Sequence, residues 1–122
     1  MTEHLNIDGT NTRDYTELLS AKIGGDNHGC LLCVLGTVEI DGHNTKFIKA
    51  KKIVIRGNNA GDLEAEEVYI DGHSKGTINA KKISIRGDNA GDLEATDTVE
   101  IDGHSKGTIK AKQISIRGDN AG

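Results

Sequence analysis

A motif of about 15 residues recurs along this chain, and no other feature of the sequence constrains the fold so strongly. The segment from Ile70 to Gly91 reads IDGHSKGTINAKKISIRGDNAG, and Ile101 to Gly122 repeats it with changes only at Asn79/Lys110 and Lys82/Gln113. Each copy divides into two units of the form G-x-[IL]-x-A-x-x-[IV]-x-I-x-G-x-x-x. An isoleucine before an x-Gly turn recurs at Ile7, Ile23, Ile40, Ile55, Ile70, Ile85, Ile101 and Ile116, with spacings of 16, 17, 15, 15, 15, 16 and 15 residues. Eight such anchors predict seven to eight coils, with residues 1–30 less regular than residues 31–122 and the whole chain forming one domain.

Within a unit, apolar and polar residues alternate in two short runs, as in Leu63/Ala65 followed by Val68/Ile70 and Ile78/Ala80 followed by Ile83/Ile85. A period of two places alternate side chains inside and outside, the pattern of a half-buried strand. The two residues between runs are too few for a helix, so a sharp bend is expected there. The glycine after each second run (Gly57, Gly72, Gly87, Gly103, Gly118) reads as a turn position needing positive φ. The predicted fold is all-β, a single-stranded β-solenoid whose coils hydrogen-bond about 4.8 Å apart along a rod on the order of 35 Å long. Hairpins in a sandwich are the alternative, but they leave the identical direction of every unit unexplained. Aromatic residues make up only 2% of the chain, which suits a narrow core of Ile, Leu, Val and Ala. Residues 14–22 read either as a short capped helix or as a degraded coil with Leu18, Ala21 and Ile23 inside. The coil is favoured, because Ile23 to Gly29 parallels Ile85 to Gly91.

The units come in two kinds, so the true repeat is about 30 residues. After the anchor isoleucine, successive coils carry Asp8, Gly24, Asp41, Arg56, Asp71, Arg86, Asp102 and Arg117. Stacked coils place acid next to base, and slipping by one coil sets Asp on Asp. A second column alternates Lys51-Lys52, Glu66-Glu67, Lys81-Lys82, Thr96-Asp97 and Lys112-Gln113.

No constellation in this sequence points to catalysis, a cofactor or a metal. His43, His73 and His104 recur two coils apart, about 10 Å, which is too far to share one ion. They read as surface turn residues. Cys30 and Cys33 have C-x-x-C spacing without a second pair, and Cys33 is expected in the alanine column with Cys30 pointing outward. Arg86-Gly87-Asp88 and Arg117-Gly118-Asp119 match an adhesive tripeptide in letters only. The net charge of −4 comes from 15 basic and 19 acidic residues that are interspersed, so no nucleic-acid surface is expected. There is no apolar run long enough for a membrane span and no signal-peptide pattern, which makes a cytoplasmic location the expectation.

The G-x-[IL]-x-A-x-x-[IV]-x-I units from about Leu31 to Gly122 resemble the bactofilins, above all in Gly61-Asp-Leu-Glu-Ala65 and Gly91-Asp-Leu-Glu-Ala95 with Val68-Tyr-Ile70 and Val99-Glu-Ile101. That resemblance implies a right-handed β-helix of a polymer-forming bacterial cytoskeletal protein that assembles without nucleotide. The coils here are shorter and more regular than in that family, and membrane-targeting tails are nearly absent, so membrane attachment is not carried over. Open terminal coils invite end-to-end stacking. The expected self-assembly interface is Leu5, Ile7 and Asp8 at one end and Ile109, Ala111, Ile114, Ile116 and Arg117 at the other. The expected partner is a further copy of the chain, in a homo-polymer or homo-oligomer. The rival expectation is a monomeric or dimeric solenoid that binds another protein or a glycan along one face.

Overall fold

The computed structural model describes residues 3–16 and 18–118. Among these the chain forms eleven strands and no helix: β1 (Glu3–Ile7), β2 (Tyr15–Thr16), β3 (Leu18–Ile23), β4 (Leu31–Ile40), β5 (Ile48–Ile55), β6 (Leu63–Glu64), β7 (Glu67–Ile70), β8 (Ile78–Ile85), β9 (Leu93–Ile101), β10 (Ile109–Lys110) and β11 (Gln113–Ile116). Every pairing is parallel, and each strand pairs with strands one coil before or after it. The molecule is a β-solenoid of about seven coils. Residues 15–16 and 18–23 belong to a coil of this solenoid, and Leu18, Ala21 and Ile23 are buried as expected.

The anchor isoleucines stack in strict register. Ile23 pairs with Ile40, then Ile55, Ile70, Ile85, Ile101 and finally Ile116. Beside them run Val38, Ile53, Val68, Ile83 and Val99, and across the core Leu31, Ile48, Leu63, Ile78 and Leu93, all buried. Their β-branched and aliphatic side chains suit a pleated surface, and each fully buried one contributes about 1.5–3 kcal/mol over its exposed state. Alanine fills the remaining column, buried at Ala80 and Ala95 and half-buried at Ala50 and Ala65.

Extra residues are absorbed as bulges in the strand segment, so the turns stay aligned. β4 carries two of them: Leu31 lies opposite Ile48 but Thr37 opposite Lys52, with shifts on both sides of Val34. β9 carries one between its partners of Ala80 and Lys82. The first bulge alters one expectation. Val34, not Cys33, stands opposite Ala50 in the backbone register. The side chains of residues 33–35 lie outside the described residues, as does Asp119 of the second Arg-Gly-Asp match.

The expected bend between runs does not always interrupt the strand. β5 and β8 each run through it as eight residues, whereas in other coils a break separates β6 from β7 and β10 from β11.

The turn glycines are required for a different reason from the one the sequence suggested. None of Gly57, Gly72, Gly87, Gly103 and Gly118 has a positive φ. They are needed because adjacent coils approach closely. A Cβ on Gly87 would lie 2.6 Å from the Gly72 carbonyl oxygen and 2.7 Å from His73 Nδ1. Backbone bonds such as Gly87 N–H to Gly72 O at 3.1 Å hold the coils at that distance.

Candidate functional site: the coil ends and a histidine-lined groove

Stacking brings the sequence-predicted interface residues to two opposite ends of the rod. Leu5 and Ile7 are half-buried on β1, which pairs with β3, and Asp8 is exposed in the turn that follows. At the other end β10 and β11 pair with β9, leaving Ile109, Ala111 and Ile116 half-buried. Ile114 is 47% exposed, although its counterparts one and two coils earlier, Val99 and Ile83, are buried. Among the described residues, therefore, each end of the stack presents part of the apolar cross-section and an unpaired strand edge.

The Asp/Arg column forms as expected, but as discrete pairs. Arg56 reaches Asp41 at 3.7 Å, Arg86 reaches Asp71 at 3.7 Å and Arg117 reaches Asp102 at 3.6 Å. Each arginine thus turns back to the coil before it, so the acid-base contacts lie within the two-coil repeat. All six side chains are well exposed, which limits each pair to roughly 0–1 kcal/mol. In the second column Glu67 sits in register between Lys52 and Lys82, and Lys52 Nζ lies 5.2 Å from the centre of the exposed Tyr69 ring.

Two further columns run along the turns, and neither was foreseen. The first is buried and consists of Asn11, Asn27, Asn44, Asn59, Ser74, Asn89 and Ser105, each four residues after an anchor isoleucine. Asn11 Nδ2 donates to Asn27 Oδ1, Asn27 Nδ2 to Asn44 Oδ1 and Asn44 Nδ2 to Asn59 Oδ1, each at 2.8 Å. The amides also close their own turns: Asn59 Nδ2 donates to the Gly61 carbonyl at 2.8 Å while Asn59 Oδ1 accepts the Gly61 N–H at 3.2 Å. A side-chain amide has two donors and an acceptor oxygen with two lone pairs, so this geometry uses nearly its full capacity. No buried side-chain polar atom among the described residues lacks a partner. A column like this can be buried at low cost because it is fully satisfied.

The second column lies one residue earlier, on the surface: Asp26, His43, Asn58, His73, Asp88 and His104. Each side chain from Asp26 to Asp88 accepts a hydrogen bond from the backbone N–H of the next member. His43 N–H donates to Asp26 Oδ1, Asn58 N–H to His43 Nδ1 and His73 N–H to Asn58 Oδ1, all at 2.8 Å. Asp88 N–H donates to His73 Nδ1 at 2.9 Å, and His104 N–H to Asp88 Oδ1 at 2.8 Å. The bond from His104 holds the Asp88 carboxyl below its ordinary value of 3.8, with the charges of His104, His73 and Lys106 acting in the same direction against slight desolvation.

This surface column forms one wall of a groove of about 690 Å³ that spans the coils from Asp26 to Lys106. Thr45, Ala60, Lys75, Ala90 and Lys106 also line it, together with Asn44, Asn59, Ser74 and Asn89 of the buried column. From Asn58 onward the lining repeats every two coils, with Asx and Ala in one coil (Asn58/Ala60, Asp88/Ala90) and His and Lys in the next (His73/Lys75, His104/Lys106), whereas the earlier coils carry Asp26/His28 and His43/Thr45. Because Nδ1 of His43 and of His73 accepts a backbone N–H, the ring proton sits on Nε2, so each ring offers a donor to solvent and no metal-ligating lone pair. No cluster of three or more His, Cys, Asp or Glu side chains among the described residues is arranged to hold a metal ion. Among the described residues no helix is long and apolar enough to cross a membrane. Compared with family models, with curated proteins and with solved structures, the chain matches none.

Proposed function

We propose that this chain is a non-enzymatic structural protein whose copies associate end to end through their terminal coils, as the resemblance of residues 31–122 to bactofilins suggests. The observation that carries this reading is the exposed cross-section at β10 and β11, above all Ile114 at 47% exposure in a column that is buried from Ala21 to Val99. Since Ile114 is already about half covered, completing its burial stabilises the joint by about 1 kcal/mol, roughly half the value for a fully exposed isoleucine. A further coil of the same kind is the natural cover, since it supplies both the matching apolar layer and the parallel backbone partner.

The columns also favour one polarity. Nδ2 of Asn11, Asn27 and Asn44 donates toward the C-terminal neighbour, and Oδ1 of Asn27, Asn44 and Asn59 accepts from the N-terminal one. Head-to-tail stacking continues that direction. Joining like ends opposes donor to donor or acceptor to acceptor, and reverses the strand pairing. Charge adds little to the joint, because Arg117 is already turned toward Asp102 and away from an incoming Asp8.

Light scattering with negative-stain electron microscopy over a hundredfold range of protein concentration tests the proposal. Growth of rods in multiples of the solenoid length is expected, with Ile114→Asp blocking growth while leaving the circular dichroism spectrum of the coil intact. A strict monomer at every concentration overturns it. The groove supports a second reading, in which a monomeric or dimeric solenoid binds another protein or a glycan along its turn face. Chemical-shift changes confined to His43, Ala60, His73, Ala90 and His104 on adding such a partner to a monomeric sample would establish that role instead.

A further inference from the structure

We infer that His43 and His73 are acid-sensitive rungs, which join the coils along the turn face at neutral pH and release them when their imidazoles take up a proton. The inference rests on geometry within the rod and is independent of what happens at its ends. In both rungs the ring nitrogen that faces the next coil is an acceptor: Nδ1 of His43 for the Asn58 N–H at 2.8 Å, and Nδ1 of His73 for the Asp88 N–H at 2.9 Å. A protonated imidazole carries hydrogen on both nitrogens and accepts nothing. Protonation therefore sets a donor against a donor between adjacent coils. The ring cannot settle deeper into the turn, because His43 lies over Gly57 and His73 over Gly87, where not even a Cβ fits beneath Nδ1. It must swing outward, leaving the amide behind it without its partner.

The same column contains its own control. Asn58 occupies the equivalent position in the intervening coil, and its Oδ1 accepts the His73 N–H at 2.8 Å. An amide makes the same bond as an imidazole without titrating. Histidine at alternate positions thus adds nothing to neutral stacking that asparagine does not provide; what it adds is a response to protons. The rungs are complete while the imidazoles are neutral and open when they take up a proton.

The surroundings make the two rungs unequal. Around His43 are the Asp26 carboxylate on the preceding coil, the neutral Asn58 on the following one, and His28, which lines the same groove and bonds Thr45. The Asp26 oxygen is occupied by the His43 N–H and lies on the far side from the bond that breaks. Facing His73 are Asn58 before it, Asp88 after it, Lys75 across the groove and the Asp71–Arg86 pair to the side. Asp88 Oδ2 is 4.0 Å from His73 Nδ1, so a protonated His73 exchanges its amide bond for an ion pair with that carboxylate. His43 has no such substitute on the side of its next coil. It is the stronger of the two switches.

The test uses the whole chain, labelled with ¹⁵N. At pH 8 the imidazole shifts of His43 and His73 should report an unprotonated Nδ1 and a protonated Nε2; the opposite tautomer in either ring overturns the rung it belongs to. Between pH 8 and pH 5.5 the Asn58 amide should lose exchange protection relative to core amides by on the order of five- to tenfold. The Asp88 amide should lose less. In His43→Asn the Asn58 amide should keep its protection at pH 5.5 while Asp88 behaves as in the parent, and His73→Asn should show the converse. Equal losses in parent and variants at the matched amide would overturn the inference, because accumulated charge along the column is then sufficient. Should either variant fail to fold, the tautomers and the pH-dependent exchange of the parent still decide the matter.

Discussion

Replacing Asn44 with alanine should be among the most damaging single changes to this solenoid, even though it removes no apolar contact of the core. Asn44 is fully buried. It accepts from Asn27 Nδ2 at 2.8 Å and donates to Asn59 Oδ1 at 2.8 Å and to the Lys46 carbonyl at 2.9 Å; a longer bond of 3.4 Å runs from Lys46 N–H to its oxygen. In Asn44→Ala the Asn27 N–H is left buried without an acceptor and the Lys46 carbonyl loses its donor. Asn59 Oδ1 retains the Gly61 N–H and suffers less. An orphaned buried donor costs about 1–3 kcal/mol and a lost part-buried bond about 0.5–1.5, which places the variant on the order of 2–4 kcal/mol below the parent. Serine should be far milder, about 1 kcal/mol, because an oxygen at this position already accepts from the coil before it where Asn89 meets Ser105 at 3.3 Å. Urea unfolding followed by circular dichroism separates these outcomes: with an m-value of about 1–3 kcal/mol/M, a 3 kcal/mol loss moves the midpoint by about 1–3 M. If Asn44→Ala unfolds within roughly 0.5 kcal/mol of the parent, or if the serine variant is no better than the alanine one, the column is not a source of stability.

Three other outcomes follow from the same geometry. Ser74→Asn should extend the amide column through a coil where the bond from Asn59 is long, at 3.5 Å, and raise stability by about 0.5–1.5 kcal/mol in the same assay. Gly87→Ala should destabilise by about 1–3 kcal/mol or more, because its methyl would meet the Gly72 carbonyl at 2.6 Å and neither coil can retreat without breaking its bonds; an unchanged melting temperature would contradict this. The Asp88 carboxyl is held below 3.8 in the folded chain, so its contribution is present above the ordinary carboxylate range and lost as pH falls through its lowered value; a ¹³C-detected titration should show that depressed midpoint, and Asp88→Asn, which keeps an oxygen for the His104 N–H, should remove this part of the acid dependence.

The coil count, the anchor isoleucines and the buried apolar columns could be read from the sequence because each depends on local alternation repeated at a fixed spacing. Residues 14–22 were ambiguous until Leu18, Ala21 and Ile23 were placed beside their counterparts, and the structure buries all three. The asparagine column could not be read in the same way. An asparagine near a glycine reads as a surface turn former, and its burial makes sense only when the coils above and below supply a donor and an acceptor. One signal was available: every residue four after an anchor, from Asn11 to Ser105, is Asn or Ser. His43, His73 and His104 looked like isolated residues for a related reason. What connects them is Asn58 and Asp88 in the coils between, which differ from histidine in name but do the same work as acceptors. The glycines were located correctly and explained wrongly, because close approach between coils leaves no mark on the local sequence distinct from an unusual φ.

The alternation of two coil types also sets how such a rod can change length. Removing a single coil would bring Asp onto Asp in the ion-paired column and a histidine against another histidine in the turn column. Removing or adding two coils restores every contact. Length therefore changes without penalty only in steps of about 10 Å, twice the strand spacing, and the chain is in effect graduated in units of 30 residues. The near-identity of Ile70 to Gly91 with Ile101 to Gly122 is what one such step leaves in a sequence.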